Sequence, residues 1–284
     1  MPAVEALHLH YDLHAASRAG APLVVLLHGL GSCGQDWGLQ LPALTSGYRV
    51  LTPDLPGHGR SRLEHRWPTV PGMAGAVDEL LESLGEADAH IVGLSLGGAV
   101  GLQLAVDYPS RVRSLTAVNT FARLRLGAGG FRRGLDRSWL ALTGHMDVVG
   151  ERVAAGLFPG PELEAFRRAA AARLSGNSSR TYFRLLSSVA RFDLRPRLGS
   201  IRAPTLVVAG EKDTTVTLSA KTELAVHIPN ARLVIVPGSG HATPLDAVDA
   251  FNGLLLGFLA EVDGAGDRTR EPSRRVAPGG GLGA

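Results

Sequence analysis

The chain has 284 residues, of which 45% are hydrophobic and 19% charged, so it can bury the core of one large domain. Its single cysteine, Cys33, excludes an internal disulfide and a thiolate metal cluster and fits a reducing compartment. No apolar run reaches the roughly 18 residues of a membrane helix and the first residues lack a signal-peptide pattern, so we expect a cytoplasmic protein.

The net charge of +3 is unevenly distributed along the chain. Residues 1–120 carry 7 basic and 11 acidic side chains, and residues 199–284 carry 8 basic and 9 acidic ones. Residues 121–198 carry 14 arginines against 6 acidic side chains. We interpret these arginines either as a solvated helical face or as a cluster that attracts anionic substrates. No nucleic acid partner and no membrane span are predicted, and the oligomeric state is left open.

Short apolar runs alternate with helix-length segments. Buried strands are predicted, in chain order, at residues 23–28, 48–53, 90–94, 112–119, 205–209 and 232–236. Helices are predicted between and after them, at residues 70–84, 97–107 and 246–261. A weaker run at 6–13 is typical of an antiparallel edge strand. The alternation predicts the α/β class, with a mostly parallel sheet and helices on both faces.

The strand pattern stops between residues 121 and 198. Helices are predicted there near residues 135–143, 161–174 and 180–190. We interpret the segment as a helical cap inserted after one strand. Gly127, Gly129 and Gly130 lie at its entrance, where missing side chains would allow a hinge.

This interpretation divides the chain into four parts. Residues 1–120 form the first part of the α/β core, 121–198 the cap, and 199–261 the second part of the core. Residues 262–284 are rich in glycine, proline and arginine, so they are predicted to be a disordered tail.

A serine flanked by glycines follows one of the predicted strands. Residues 93–97 read Gly-Leu-Ser-Leu-Gly and match G-x-S-x-G, a weak signal alone in a chain rich in glycine and serine. The strand runs straight into the motif and small, helix-compatible residues follow it, which is the strand–turn–helix context that the motif requires. Ser95 is therefore the predicted nucleophile.

A serine hydroxyl needs a base to accept its proton, and the base needs an orienting group. Asp213 and His241 each lie just beyond the end of a later predicted strand. The carboxyl ends of strands are where open α/β sheets place their sites, and the chain order serine, acid, histidine is the one expected. Glu211 and Asp246 are the competing acids. We choose Asp213 to orient His241 as the general base.

A glycine-rich loop follows the first predicted parallel strand. Residues 29–34 contain a literal G-x-G-x-x-G, and Asp54 ends the next strand, which is the dinucleotide-binding pattern at face value. Trp37 and Pro42 make the following segment a poor crossover helix, so an NAD-dependent oxidoreductase is the least favoured function. We expect instead that the backbone N–H groups of Leu30 and Leu96 form an oxyanion hole. His28 and His58 are given structural roles.

Four segments together resemble the α/β-hydrolase fold superfamily. They are His28-Gly-Leu-Gly31, Asp54-Leu-Pro-Gly-His-Gly-Arg-Ser61, Gly93-Leu-Ser-Leu-Gly-Gly98 and Gly238-Ser-Gly-His241. The stretch 108–120 looks like the branch that contains 3-oxoadipate enol-lactonases, small carboxylesterases and carbon–carbon bond hydrolases. The resemblance covers residues 22 to 260 and implies a helical cap over the site.

The predicted function is hydrolysis of a small carboxylic ester or lactone through an acyl-enzyme, without a metal or an organic cofactor. Serine at position 95 speaks against haloalkane dehalogenase chemistry, which in a related family uses aspartate. Carbon–carbon bond hydrolysis of a vinylogous diketone on the same triad is an alternative, and a non-catalytic ligand-binding module is one from another class. The cap arginines add the hypothesis that the substrate carries a carboxylate.

Overall fold

The computed structural model describes residues 9–63, 67–124 and 128–270. A seven-stranded sheet with the order β1-β3-β2-β4-β5-β6-β7 lies at its centre. The strands are β1 (Tyr11–His14), β2 (Leu23–Leu27), β3 (Arg49–Pro53), β4 (Ala89–Leu94), β5 (Val112–Val118), β6 (Thr205–Gly210) and β7 (Ala231–Val236). β1 pairs with β3 in the antiparallel sense, and the other pairs are parallel.

Ten α-helices occur in the described part of the chain. They are α1 (Leu41–Leu44), α2 (Val70–Ser83), α3 (Leu96–Asp107), α4 (Ala128–Leu142), α5 (Met146–Leu157), α6 (Glu164–Ser175), α7 (Ser179–Arg191), α8 (Leu218–His227), α9 (Thr243–Asp246) and α10 (Val248–Arg270). None of these helices combines the length and apolarity needed to cross a bilayer.

Helices cover both faces of the sheet, as predicted. One apolar cluster packs residues of α2, α3 and α8 against one face, and a second packs α1 and α10 against the other. The central strands are buried along their whole length, which explains why they read in the sequence as continuous apolar runs. The predicted α/β class with a mostly parallel sheet is therefore confirmed.

Helices α4 to α7, which we call the helical insertion, lie between β5 and β6. They share a small core of their own that includes Met146, Val149 and Tyr182. The sequence did not predict α5, because Gly150 and other glycines weaken its helical pattern. A Cβ atom at Gly150 would meet the Ala171 carbonyl oxygen at 2.6 Å, so this glycine permits the close packing of α5 on α6.

Two further predictions need correction. Gly129 and Gly130 lie inside α4, where the helix fixes the backbone that was expected to act as a hinge, and Gly127 lies outside the described residues. The predicted helix 246–261 is divided into α9 and α10 by a non-helical residue, Ala247. The six predicted buried strands each differ from the structure by one residue at one end. The edge strand β1 begins at Tyr11, inside the predicted run at 6–13, and residues 6–8 lie outside the described part of the chain.

The predicted start of the disordered tail at residue 262 is also corrected, because α10 continues to Arg270. Asp263 accepts hydrogen bonds from the Tyr48 hydroxyl at 3.2 Å and from His90 Nε2 at 3.1 Å. It also pairs with Arg113 at 3.4 Å. These contacts fasten the end of α10 to the amino-terminal edge of the sheet, a reason for order that local composition does not show. Residues 271–284 lie outside the described part.

Candidate active site

Ser95 occupies the sharp turn between β4 and α3. Its backbone has φ +55° and ψ −113°, a strained conformation for a side chain with a Cβ atom. A Cβ atom at Gly97 would collide with the Leu27 carbonyl, so the turn requires glycine there. The Ser95 N–H donates to the Val118 oxygen at 2.9 Å, and the Thr120 hydroxyl donates to the Ser95 oxygen at 2.6 Å. This frame holds Ser95 at the carboxyl end of the sheet.

Asp213 follows β6 and is completely buried, with 0% of its side chain exposed. Its Oδ2 accepts a hydrogen bond from His241 Nδ1 at 3.0 Å. Its Oδ1 accepts from the backbone N–H groups of Thr215 at 2.8 Å and Val216 at 3.1 Å. Burial by itself would raise the pKa of Asp213, but the hydrogen bonds and charges of His241 and Lys221 lower it to about 2. Asp213 is therefore a carboxylate at neutral pH.

The two competing acids hold the backbone before His241 instead of its ring. Glu211 Oε2 accepts from the Gly238 N–H at 2.8 Å. Asp246 accepts from the Ser239 hydroxyl at 2.6 Å and from the Gly240 N–H at 2.8 Å. Both carboxylates stabilise the turn that delivers the histidine, and Asp213 is the one that contacts the imidazole.

Ser95 and His241 line one cavity of about 670 Å³ between the sheet and the helical insertion. The hydrogen bonds of the described residues do not include one between Ser95 Oγ and His241 Nε2. Asp213 and His241 are thus hydrogen-bonded to each other, and Ser95 lines the same cavity as His241 without a hydrogen bond to it. Such contacts are often loose in enzymes without substrate and tighten when it binds.

Leu30 and Leu96, the predicted oxyanion-hole residues, line the same cavity. Within residues 9–63, 67–124 and 128–270, neither backbone N–H donates a hydrogen bond to another group. Leu96 is the first residue of α3, and the first N–H groups of a helix have no partner inside it. Both residues thus line the cavity with backbone N–H groups that have no partner among the described residues.

His28 and His58 have structural contacts. His28 Nδ1 donates to the Gly29 oxygen at 2.8 Å, and its Nε2 accepts from the Leu55 N–H at 2.9 Å. Burial lowers the pKa of His28, and burial together with its neighbour His28 lowers the pKa of His58 to about 3. Both rings are neutral at pH 7, and their centroids lie 4.9 Å apart.

The dinucleotide alternative loses its structural basis. Asp54 accepts from the backbone N–H groups of Gly34 and Arg60, both at 2.8 Å, so it braces two loops. The segment Gly34–Trp37 is a short 3₁₀ turn, where a dinucleotide-binding unit would have a crossover helix.

The helical insertion directly contacts the glycine-rich loop that carries Leu30. Asn177 Nδ2 donates to the Gly31 oxygen at 3.0 Å, and Arg173 Nε lies 3.1 Å from Asp36 Oδ1. Gly31 has φ +80°, and its position leaves no room for a side chain against Leu174. The loop that carries Leu30 is thus held from above by the end of α6 and the residues after it.

Three arginines of the insertion line the mostly apolar cavity. Arg152 pairs with Asp136, and Arg173 pairs with Asp36. Arg137 makes no ion pair with any described residue, and its buried Nε has no hydrogen-bond partner among them. Its guanidinium stacks over the Tyr182 ring, 5.0 Å from the centroid. Burial lowers the pKa of Arg137 to about 10, and it remains a cation at neutral pH.

Sequence reasoning missed two residues behind the histidine. Lys221 Nζ lies 2.8 Å from Asp213 Oδ2 and 3.0 Å from Asn119 Oδ1. Asn119 Nδ2 donates to the His241 oxygen at 2.8 Å, so it connects the end of β5 to the histidine loop. A signal for Lys221 did exist, because it lies on the face of α8 that buries Ala220 and Leu224.

Comparisons with known proteins find relatives that are similar over most of this chain. A protein from Azorhizobium caulinodans named "Putative carbamate hydrolase RutD" is 34% identical over 265 residues, which are 90% of this chain and 96% of that protein. Two solved structures are similar over most of their length. An enol-lactonase from Burkholderia xenovorans has a TM-score of 0.83 and 29% identity, over 89% of this chain and 96% of that one. A hydrolase from Pseudomonas aeruginosa has a TM-score of 0.78 and 34% identity, over 88% and 94%.

A family model described as the alpha/beta hydrolase fold matches residues 22–248. The match includes the loops that carry Ser95, Asp213 and His241 and the helical insertion between β5 and β6. The chain therefore belongs to the α/β-hydrolase fold family.

Proposed function

We propose that this chain is a serine hydrolase that cleaves a carboxylic ester or a lactone through an acyl-enzyme, with Ser95, His241 and Asp213 as its catalytic triad. The observation that supports it best is the 3.0 Å hydrogen bond from His241 to the buried Asp213. It places an oriented imidazole at the cavity that also contains Ser95 on its strained turn.

The proposed reaction has two steps. Ser95 Oγ attacks the carbonyl carbon while its proton moves to His241 Nε2, and the N–H groups of Leu30 and Leu96 stabilise the oxyanion. His241 then gives the proton to the leaving oxygen as the carbon–oxygen bond breaks. In the second step, water gives a proton to His241 as its oxygen attacks the acyl carbon. The bond between that carbon and Ser95 Oγ then breaks, the acid leaves, and His241 returns the proton to Ser95 Oγ.

Carbamates are the second candidate substrate class. They offer the same carbonyl chemistry with nitrogen on one side, and the 34% identical relative carries the name of a carbamate hydrolase. The mechanism would differ only in the group that leaves, because the nucleophile, base and oxyanion donors would be the same.

A substrate panel tests the proposal and separates the two classes. Short and long acyl esters, lactones, carbamates and vinylogous diketones are compared by kcat/KM, and a fluorophosphonate probe reports serine activation. We expect the highest kcat/KM for an ester or a lactone and labelling at Ser95. A clear preference for carbamates would replace the substrate class and keep the mechanism. Absence of both turnover and labelling in folded protein would refute the hydrolase proposal.

We also propose that the substrate carries a carboxylate, and Arg137 supports this more directly than the overall arginine content. A partly buried guanidinium without a counter-charge among the described residues is a favourable partner for an anion that enters the cavity. Because Arg137 faces the same space as Ser95, one molecule could contact both residues.

Arg137→Met should raise KM for a half-ester of a dicarboxylic acid by roughly 10- to 100-fold, the value of a hydrogen bond to a charged group. KM for a neutral ester of equal length should stay unchanged. The measurement is steady-state kinetics of both esters at low salt. Arg132→Met, on the exposed side of α4, is the matched control. Equal KM values for the two esters in wild type and variant would exclude the carboxylate hypothesis.

A further inference from the structure

A lysine is buried directly behind the proposed acid and base. The side chain of Lys221 is 1% exposed, and its Nζ lies 2.8 Å from Asp213 Oδ2. That oxygen is the same one that accepts the hydrogen bond from His241 Nδ1 at 3.0 Å. One carboxylate oxygen is thus shared between an ammonium group and the imidazole. Asn119 Oδ1, at 3.0 Å, accepts a second hydrogen bond from the lysine.

Packing alone does not call for a lysine at this position. Helix α8 buries Ala220 and Leu224 on the same face, so Lys221 is the charged residue of an otherwise apolar stripe. Burying an ammonium and a carboxylate together is costly, and apolar replacements of buried ion pairs are often neutral or stabilising. A contribution to the chemistry of Asp213 and His241 explains the charge better than a contribution to the fold.

We propose that Lys221 is a positioning residue that fixes the Asp213 carboxylate and weakens its hold on a protonated His241. The inference rests on the proposed triad. An imidazolium at His241 is attracted by the Asp213 carboxylate and repelled by the Lys221 ammonium. The neutral imidazole carries no net charge, so both Coulomb interactions with it are weak. Removing Lys221 should therefore stabilise the imidazolium relative to the neutral ring and make it a weaker acid toward the leaving group.

The other charges near His241 do not reproduce this effect. Asp246 and Glu211 lie beside the histidine turn, and both bind its backbone. The ionisable groups that line the cavity are Asp36, Asp136, Arg137, Arg152, Arg173 and His28. Four of these form opposite-charge pairs, and His28 is neutral. Arg137 is a cation without an ion pair among the described residues, but it makes no hydrogen bond or ion pair with Asp213. In the described part of the chain, the side-chain partners of the Asp213 carboxylate are His241 and Lys221.

The test is the pH dependence of kcat/KM for Lys221→Met. We expect its acid limb to move to higher pH by about one unit, because the repulsion that opposes protonation of His241 is gone. At the pH optimum, kcat should fall while KM for a neutral ester stays unchanged. Lys212→Met is the matched control, since Lys212 is exposed in the same loop as Asp213, and it should leave the profile unmoved.

A second variant separates charge from packing. Lys221→Gln keeps a hydrogen-bond donor but removes the charge, so its acid limb should move in the same direction. A folded Lys221→Met or Lys221→Gln with the wild-type acid limb would overturn the inference. If wild type lacks Ser95-dependent turnover, the proposed function fails instead. An NMR titration of His241 in wild type and Lys221→Gln then still tests the electrostatic claim, and identical titration curves would refute it.

Discussion

Ser95→Ala should eliminate ester hydrolysis and leave the fold intact. We expect kcat to fall at least about 10⁴-fold, because loss of a triad member leaves only oxyanion stabilisation and substrate binding. The Ser95 side chain makes no hydrogen bond within the described residues, so its removal leaves no buried group without a partner. The strain at φ +55° is the same for alanine as for serine. Steady-state kinetics and thermal unfolding measure the two effects separately.

Ser83→Ala is the control for a lost hydroxyl. Ser83 is exposed at the end of α2 and does not line the cavity, so its variant should retain full turnover. The fluorophosphonate probe should label this control and wild type, and it should not label Ser95→Ala. Unchanged ester hydrolysis by a folded Ser95→Ala protein would rule out Ser95 as the nucleophile.

Asp213→Asn should reduce kcat by about 10³- to 10⁴-fold and also destabilise the protein. The amide no longer fixes the His241 tautomer that presents a basic Nε2 to serine. It also leaves the Lys221 ammonium buried without its counter-charge, which costs about 3 kcal/mol or more of the free energy of unfolding. Kinetics and urea unfolding measure the two losses.

A double variant separates these effects. Asp213→Asn combined with Lys221→Met removes both buried charges, so it should recover stability without recovering activity. Glu211→Gln, in the same loop, is the control and should retain most of the activity. Full activity in Asp213→Asn, or its loss in Glu211→Gln alone, would reassign the orienting acid.

The lowered pKa of Asp213 also gives stability a defined pH dependence. The pKa of Asp213 is about 2 in the folded chain and about 3.9 in an unfolded one. The carboxylate therefore contributes its full stabilisation at pH values above the pKa of the unfolded chain. That contribution is lost as the pH falls from about 4 toward 2. The same decline should be absent from the Asp213→Asn variant, which has no carboxyl group to protonate at this position.

The parts of the fold that the sequence predicted well are those governed by local pattern. Strands buried on both faces are mostly apolar, so β2 to β6 could be located to within one residue at each end. The loops that follow β4, β6 and β7 end in residue types with clear chemical roles, so Ser95, Asp213 and His241 could be singled out together.

Features that depend on contacts distant in sequence were missed. Helix α10 continues past Glu261, where Asp263 contacts Tyr48 before β3, His90 of β4 and Arg113 of β5. Lys221 violates the apolar pattern of its helix face, and the reason for a lysine there becomes visible only when the fold brings Asp213 and Asn119 beside it.

An excess of charge in the sequence also does not reveal which charges are paired. In the insertion, Arg152 and Arg173 have acidic partners, whereas Arg137 has none among the described residues.

The contacts of Arg173 and Asn177 with the glycine-rich loop affect what happens when the helical insertion is exchanged. Asn177 and Arg173 tie the helices that shape the binding space to the segment that carries the Leu30 N–H. We expect that exchanging these helices for those of a relative would shift the loop of Leu30, the proposed oxyanion donor, together with the choice of substrate. Grafts that keep Arg173 and Asn177 should therefore disturb turnover least.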